Sequence, residues 1–368
     1  MAEEAKQGAL AAIFTGPGVP MSLQRLPLPE LAEGEVLIRV RACTLCGSDL
    51  HTYQGDRETP TPTILGHETI GVIEALGEGP PPVDHDGRPL ELGNRVTWSI
   101  AVSCGHCFFC SHKIPQKCES LFKYGHEKME APHPLNGGLA EFCHLAPGTT
   151  MVRVPDSLSD RVACPANCAT ATVAAALRVG WEEEPPASVL VQGAGMLGLT
   201  ACAMLRSRGA GIIIVADLNR ARLKLAREFG ATHTVEIGGE AEALRRGVAD
   251  ATGGRGVDLA LEMSGSPVAV ADGMATLRTG GRQVLVGSVS PSDPVSLHPE
   301  TVVRKLLSIQ GVHNYAPRDL AEAVSFLEQH HHEYPFESLV QGSYPLADVE
   351  AAFSEAIRTG APRLMVTT

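Results

Sequence analysis

Aromatic side chains are scarce, at 4% of the 368 residues. That is too few for a platform on which sugars or bases stack. Positive charge is also in deficit. Thirty Lys and Arg face 42 Asp and Glu, giving a net charge of −12 and a pI near 5.6. This excludes a nucleic-acid groove and leaves the charge mainly a contribution to solubility. No apolar run approaches the ~20 residues of a membrane span, so no membrane partner is expected. Met1-Ala2-Glu3-Glu4-Ala5-Lys6 lacks the charged-then-apolar pattern of a secretory signal. The ten cysteines do not read as a disulfide framework, which belongs to short secreted chains. Reduced thiols in a cytoplasmic protein, several of them on metal, are the expectation.

The remaining composition, 44% hydrophobic and 20% charged, is that of an ordinary globular protein, and the length predicts two domains. The first part alternates apolar and polar residues over 9–15, 35–42, 68–77 and 94–98, with further strands at 139–146 and 151–155. Breakers separate these runs, so a β-barrel-like domain is predicted. The breaker-rich 77–88 reads as an exposed loop. Residues 99–137 are dense in Cys, His, Lys and Pro and form a lobe without a large apolar core. From Val162 the texture changes. Val162–Leu177 is Ala-rich and helix-prone, and a surface connection is expected at Glu182-Glu183-Glu184-Pro185-Pro186. Apolar strands at 188–192, 212–216, 257–262, 283–286 and 306–312 follow, with helices near 196–208 and 219–229. That alternation indicates a parallel sheet covered on both faces. Two amphipathic helices, one ending at His330-His331-His332 and one stopped by Gly360, close the chain.

Three patterns carry chemistry. Cys46-Gly47-Ser48-Asp49-Leu50-His51 and Gly66-His67-Glu68 supply a thiolate, an imidazole, carboxylates and a hydroxyl. These are the donors of an open zinc site, which takes three protein ligands and keeps one position free. Cys104-x2-Cys107-x2-Cys110-x7-Cys118 offers four thiolates within fifteen residues. They suffice for a closed tetrahedral zinc that folds a loop with little apolar surface. Gly193-Ala194-Gly195-Met196-Leu197-Gly198 follows a buried strand and opens a helix, and Asp217 ends the next strand. Gly193 permits the tight turn, Gly195 the approach of a pyrophosphate, and Gly198 close helix–strand packing. Asp217 accepts from ribose hydroxyls and repels a 2′-phosphate, with Leu218 where a phosphate-binding Arg would otherwise stand. Arg222 lies further along on the adenosine side. NAD is therefore expected over NADP.

Together these motifs resemble the zinc-dependent medium-chain alcohol dehydrogenases over nearly the whole chain. The resemblance implies an α/β protein: a GroES-like β-barrel catalytic domain from residues 1–161 and 313–368, and a Rossmann doubly wound parallel-sheet coenzyme domain from 162–312. It further implies two Zn2+ per chain. One is catalytic, on Cys46, His67 and Cys168, with Cys164 and Glu68 as rivals for a ligand position. The other is structural, on Cys104, Cys107, Cys110 and Cys118. Zinc in the first site acts as a Lewis acid on the alcohol, and the hydride goes to NAD. Asp49 orients His67, while Ser48 and His51 carry the proton out. Thr172, Ser264 and Gly287 are implied to contact the nicotinamide side, and Arg363 the pyrophosphate. A homodimer or homotetramer is implied too, with the strand near 306–312 extending the sheet across a two-fold.

Thr97-Trp98-Ser99-Ile100, Pro115-Gln116-Lys117-Cys118-Glu119, Lys123-Tyr124-Gly125-His126-Glu127 and Cys164-Pro165-Ala166-Asn167-Cys168 are similar to the alcohol dehydrogenases associated with phosphonate catabolism. A hydroxyalkyl phosphonate would need cations, and Arg57, Lys123 and His126 are the candidates. The rival functions are a zinc-free quinone or enoyl reductase on the same fold and a non-catalytic NAD- or zinc-binding protein.

Overall fold

The computed structural model describes residues 8–181, 186–238 and 242–368. Met1–Lys6 and nearly all of the connection at 182–186 lie outside them. Two units are distinguished. The first comprises residues 1–168, 316–331 and 336–368, the second 169–315 and 332–335.

In the first unit, Val340–Pro345, Arg363–Thr367, Val36–Thr44, Glu68–Leu76, Arg95–Trp98 and Met151–Arg153 lie side by side in that order, and Phe142–Leu145 also pairs with Val36–Thr44. The last strand of the chain therefore sits beside one of the first, in the register Met365↔Thr44. Apolar side chains from both chain ends, among them Ile13, Phe14, Leu139, Phe353 and Val366, form one buried cluster. The strand Ser22–Leu26, paired with Ala9–Ile13, was not expected. Its residues are almost all exposed, so no alternation marks it. The helix Gly47–Gln54 was not expected either; its eight residues carry little apolar periodicity.

The second unit contains a six-stranded parallel sheet. Its order is His233–Glu236, Ile212–Asp217, Ser188–Gln192, Val257–Glu262, Leu277–Leu285, Ser308–Gly311. Spatially this is 3-2-1-4-5-6, the doubly wound arrangement that puts a phosphate-binding turn after the first strand. Ser188–Gln192 is buried at every position, which is why it reads as continuous apolar sequence. The final strand is shorter than predicted because Leu306 adopts a left-handed backbone, φ 53°.

The helix-prone stretch Val162–Leu177 is helical with a break in it. Asp160–Ala163 is helical, Cys164–Asn167 is a 3-10 turn, and a second helix runs Ala169–Gly180. Pro165 supplies no amide hydrogen to continue the helix. Cys168 lies at the break with φ −134° and ψ −73°. Among the described residues no single helix is long and apolar enough to cross a membrane.

Candidate metal centres and coenzyme cradle

Cys46 is the residue before the helix Gly47–Gln54. Asp49, three positions on, takes its backbone N–H on Oδ2 at 2.9 Å. The other oxygen, Oδ1, accepts from Gly66 N at 3.3 Å and faces Nδ1 of His67 at 3.2 Å. One buried carboxylate thus fixes both halves of the site and sets His67 as a donor on Nδ1, leaving Nε2 for a metal. Asp49 serves as helix cap and orienter at once.

Donor atoms of Cys46, His67, Glu68 and Cys168 all lie within 4.8 Å of one another. Cys46 Sγ and Cys168 Sγ are 4.0 Å apart, close to the ~3.8 Å that two 2.3 Å bonds to a tetrahedral zinc impose. A disulfide would need about 2.05 Å. The break in the expected helix is what brings Cys168 here. Cys164 is buried, and its thiol points to the carbonyls of Glu68 and Ala42 at 3.0 and 3.4 Å. The donor set of one imidazole and two sulfurs fits zinc.

Arg363 belongs to the same centre. Its Nε and Nη2 donate to the Glu68 carboxylate at 2.6 Å each, Nη1 to the carbonyl of Pro362, and Nη2 also lies 3.4 Å from Cys46 Sγ. All three nitrogens are engaged and the residue is 7% exposed. Within the protein, Arg363 is thus the cationic half of a buried ion pair with Glu68. The physical cause is the register of the last strand, which sets Arg363 beside the end of Val36–Thr44. Thr44 Oγ1 also donates to Glu68 at 2.7 Å, so Glu68 is held back by three hydrogen bonds. Sequence reasoning missed the Thr44–Glu68–Arg363 link, which spans 295 residues between its carboxylate and guanidinium.

These contacts set the charges. The Cys46 thiol is held well below its usual pKa by a hydrogen bond from Cys168, with Arg363 and His67 adding to it against burial. The same hydrogen bond and burial push Cys168 up. Burial opposes a charged His67, but Asp49 and Cys46 outweigh it and raise that pKa to about 10. These contacts favour the thiolate at Cys46, a protonated thiol at Cys168 and a protonated ring at His67. A bound cation takes the place of those protons.

Around it stand the expected substrate cations. Lys123 is lowered to about 8 by burial and then by Arg57, and it feels the charges of Cys168 and Cys46. His126 stacks obliquely on His67 with centroids 4.9 Å apart and donates from Nδ1 to the carbonyl of Tyr124 at 2.9 Å. Burial and the nearby His67, Lys123 and Arg57 push its pKa well below 6.5. A charge on His126 is thus disfavoured, whereas Lys123 and Arg57 carry the positive charge here. Ser48 Oγ lies 3.4 Å from His67 Nε2. The His51 side chain is 55% exposed, with Nδ1 against Asp56 at 3.2 Å. Ser48 and His51 are not hydrogen-bonded to each other.

The four remaining predicted ligands form a second cluster. Sulfur separations are 3.5 Å for Cys107–Cys110, 3.8 Å for Cys107–Cys118 and 4.0 Å for Cys104–Cys110, again the spacing of a tetrahedral zinc. Backbone N–H groups of Cys104, Cys107 and Ser120 point at the sulfurs. Such donors stabilise thiolates, and Cys107 falls to about 6 through backbone hydrogen bonds.

In the second unit, Gly193 has φ +96°, a conformation that favours glycine. A Cβ on Gly198 would meet Gly193 O at 1.8 Å, whereas one on Gly195 would meet nothing within 4 Å. The space above Gly195 is open at the start of the helix Met196–Ser207, as a pyrophosphate requires. Asp217 accepts from Ala194 N at 2.6 Å and Asn219 N at 2.7 Å, fixing it beside that turn. Leu218 is 70% exposed. Glu262 Oε1 accepts from the backbone of Ser264 and Gly265, and its Oε2 from Ser288 Oγ. One buried carboxylate therefore shapes both loops that carry the expected Ser264 and Gly287. Thr172 lies in the helix Ala169–Gly180, and Arg222 in Arg220–Glu228.

The sequence profile of the alcohol dehydrogenase GroES-like domain matches residues 32–156, and that of the zinc-binding dehydrogenases residues 197–329. Over 345 residues the chain is 31% identical to sorbitol dehydrogenase of Bacillus subtilis (strain 168), covering 92% of this chain and 91% of that one. The chain belongs to the zinc-dependent alcohol dehydrogenase family. Its structure is similar to an alcohol dehydrogenase from Thermotoga maritima, with TM-score 0.91, 29% identity and coverage of 98% and 99%. It is also similar to a protein described as a short chain alcohol dehydrogenase from E. coli CFT073, complexed with NADH, with TM-score 0.82, 26% identity and coverage of 98% and 100%. Family membership makes it an oxidoreductase of the zinc type acting with a nicotinamide cofactor.

Proposed function

We propose that this dehydrogenase holds two zinc ions, uses NAD, and oxidises an alcohol bearing an anionic group of the phosphonate type. Cys46, His67 and Cys168 would hold the catalytic zinc, and Cys104, Cys107, Cys110 and Cys118 the structural one. When bound, the catalytic zinc would polarise the alcohol oxygen and NAD would accept the hydride. The protein supplies the rest. Asp49 locks the His67 ring so that Nε2 faces the reacting group. Ser48 offers a hydroxyl next to the ligand Cys46 to take the proton, and His51, exposed and oriented by Asp56, hands it to water. The Glu68–Arg363 pair keeps a carboxylate close to the centre without leaving its charge unbalanced.

For the coenzyme, the Asp217 carboxylate and the absence of a cation at Leu218 support NAD. Asp217→Asn is expected to raise KM for NAD by about tenfold, the loss of one charge-assisted hydrogen bond, and to narrow the preference against NADP. Steady-state assays with both coenzymes check it, and an unchanged NAD/NADP ratio would remove the assignment.

The observation that carries the substrate class is Lys123, a half-buried cation near Arg57 and within range of the Cys46 and Cys168 charges. Taking a cation partly out of water is costly, and a bound dianion offsets that cost. The similarity of the quoted segments to the phosphonate-associated dehydrogenases points the same way. A panel of hydroxyalkyl phosphonates and plain alcohols of equal length should show at least about a tenfold preference in kcat/KM for the phosphonates, or ~1.4 kcal/mol. Equal efficiencies would overturn the substrate class. Lys123→Met should raise KM for the phosphonates alone. Because the Lys123 pKa lies near 8, the ammonium is present at pH 7 and lost above 8, so KM for the anionic substrate should climb between pH 7 and 9. A flat profile would discard Lys123 as the anchor.

The strand Ser308–Gly311 is exposed at all four positions and ends the sheet. Pairing of this edge with a second copy would give the dimer on which the assembly is built.

A further inference from the structure

Cys46 lies just beyond one end of the strand Val36–Thr44, and a third set of donors gathers just before the other. Nine extended residues place the two ends roughly 30 Å apart, so the groups are separate. Glu35 immediately precedes the strand and is 6% exposed. His144 lies on the neighbouring strand Phe142–Leu145, opposite Leu37, and is 1% exposed. His133 comes from the preceding loop, with a side chain 11% exposed. One donor atom from each of the three falls within 4.8 Å of the others.

The protons of this group can be placed one by one. His144 Nε2 is 2.9 Å from Glu35 Oε2, so it carries hydrogen and donates. A neutral imidazole has one donor and one acceptor nitrogen, so His144 Nδ1 is the acceptor. It faces His133 Nδ1 at 3.2 Å, and His133 Nδ1 must be the donor. His133 Nε2 is then a bare lone pair. Opposite it, at 3.8 Å, is Glu35 Oε1. Two acceptors face each other across a gap too long for a shared proton to make a hydrogen bond. A metal ion with bonds of about 2.0–2.2 Å to each spans that gap. Glu35 Oε2 accepts a further hydrogen bond from Ala32 N at 2.8 Å, which fixes the carboxylate. Glu35 also lines a cavity of about 430 Å³ whose walls include Pro80, Pro82, Asp84, His85 and Thr149.

We propose that Glu35 and His133 bind a third divalent ion of the zinc class, at the far end of the strand from the catalytic centre. His144 positions both ligands, accepting from the Nδ1–H of His133 and donating to Glu35, the outer-shell arrangement that orients metal-bound histidine. The imidazole ligand favours zinc and its later-row neighbours over calcium and magnesium. Two protein ligands make the site weaker than either cysteine-containing centre, so it fills last and empties first.

The test is zinc titration of the purified holoenzyme, read by native mass spectrometry and thermal melting. The wild type should take up one more zinc than His133→Asn at saturation, and added zinc should raise the melting temperature of the wild type only. Glu35→Gln, which keeps size and shape, should lose the same ion. Alcohol oxidation should be the same in His133→Asn as in the wild type, which separates this ion from the catalytic one. Equal zinc content in the wild type and both variants would overturn the proposal, and so would zinc-induced stabilisation that persists in both.

Discussion

Replacing Cys46 by Ser should lower alcohol-dependent NADH formation by at least about a thousandfold and remove one zinc per chain. The Lewis acidity of such an ion contributes several kcal/mol to the transition state, and each 1.4 kcal/mol is tenfold in rate. Serine keeps the size of the side chain but not the soft thiolate on which zinc selection rests. The change also withdraws the negative partner that lies 3.4 Å from Arg363 Nη2, while the bond of Arg363 to Glu68 stays intact. Absorbance at 340 nm and elemental zinc analysis check both halves. Cys164→Ser is the control, because its sulfur is turned to the carbonyls of Ala42 and Glu68 and to Thr44, away from Cys46, and the zinc should stay. Full activity with unchanged zinc in Cys46→Ser would end the assignment of the catalytic centre, and retained NAD binding without turnover would be the positive sign.

Cys107→Ser should act on stability. The segment 104–118 has almost no core of its own. Cys118 is buried, whereas Phe108 is 60% and Ile114 40% exposed. In such a loop metal bonds take the place of apolar burial, and metal binding is part of the folding free energy. We expect loss of the second zinc, a melting temperature lower by roughly 10 °C, and new proteolytic cuts within 104–118. Calorimetry with limited proteolysis measures this. An unaltered melting temperature alongside full zinc content would show that the four sulfurs do not share an ion.

How far the sequence reached varies with the range of the interaction. The glycine fingerprint was legible because its three roles are local. A left-handed turn at Gly193, open space at Gly195 and contact with Gly193 O at Gly198 all lie within six residues. The four-cysteine loop was legible for the same reason. The strand Ser22–Leu26 and the helix Gly47–Gln54 were not, since neither has an apolar face that repeats with the period of its element.

The chain itself determined the donor types, their spacing and the alternation of strand and helix, because these follow from side-chain chemistry and the backbone periods of 2 and 3.6. Tertiary structure decided which donors meet. Only the break at Pro165 brings Cys168, and not Cys164, to Cys46. Only the pairing of the last strand with Val36–Thr44 turns Arg363 onto Glu68. Burial beside His67, Lys123 and Arg57 disfavours a charge on His126. The stretch around Cys46 announces a metal half-site by its own residues, but contacts across 122 residues to Cys168 and 317 to Arg363 have no local signature. They arise from the register in which distant strands pair, and that register is fixed by burying side chains along the whole sheet at once.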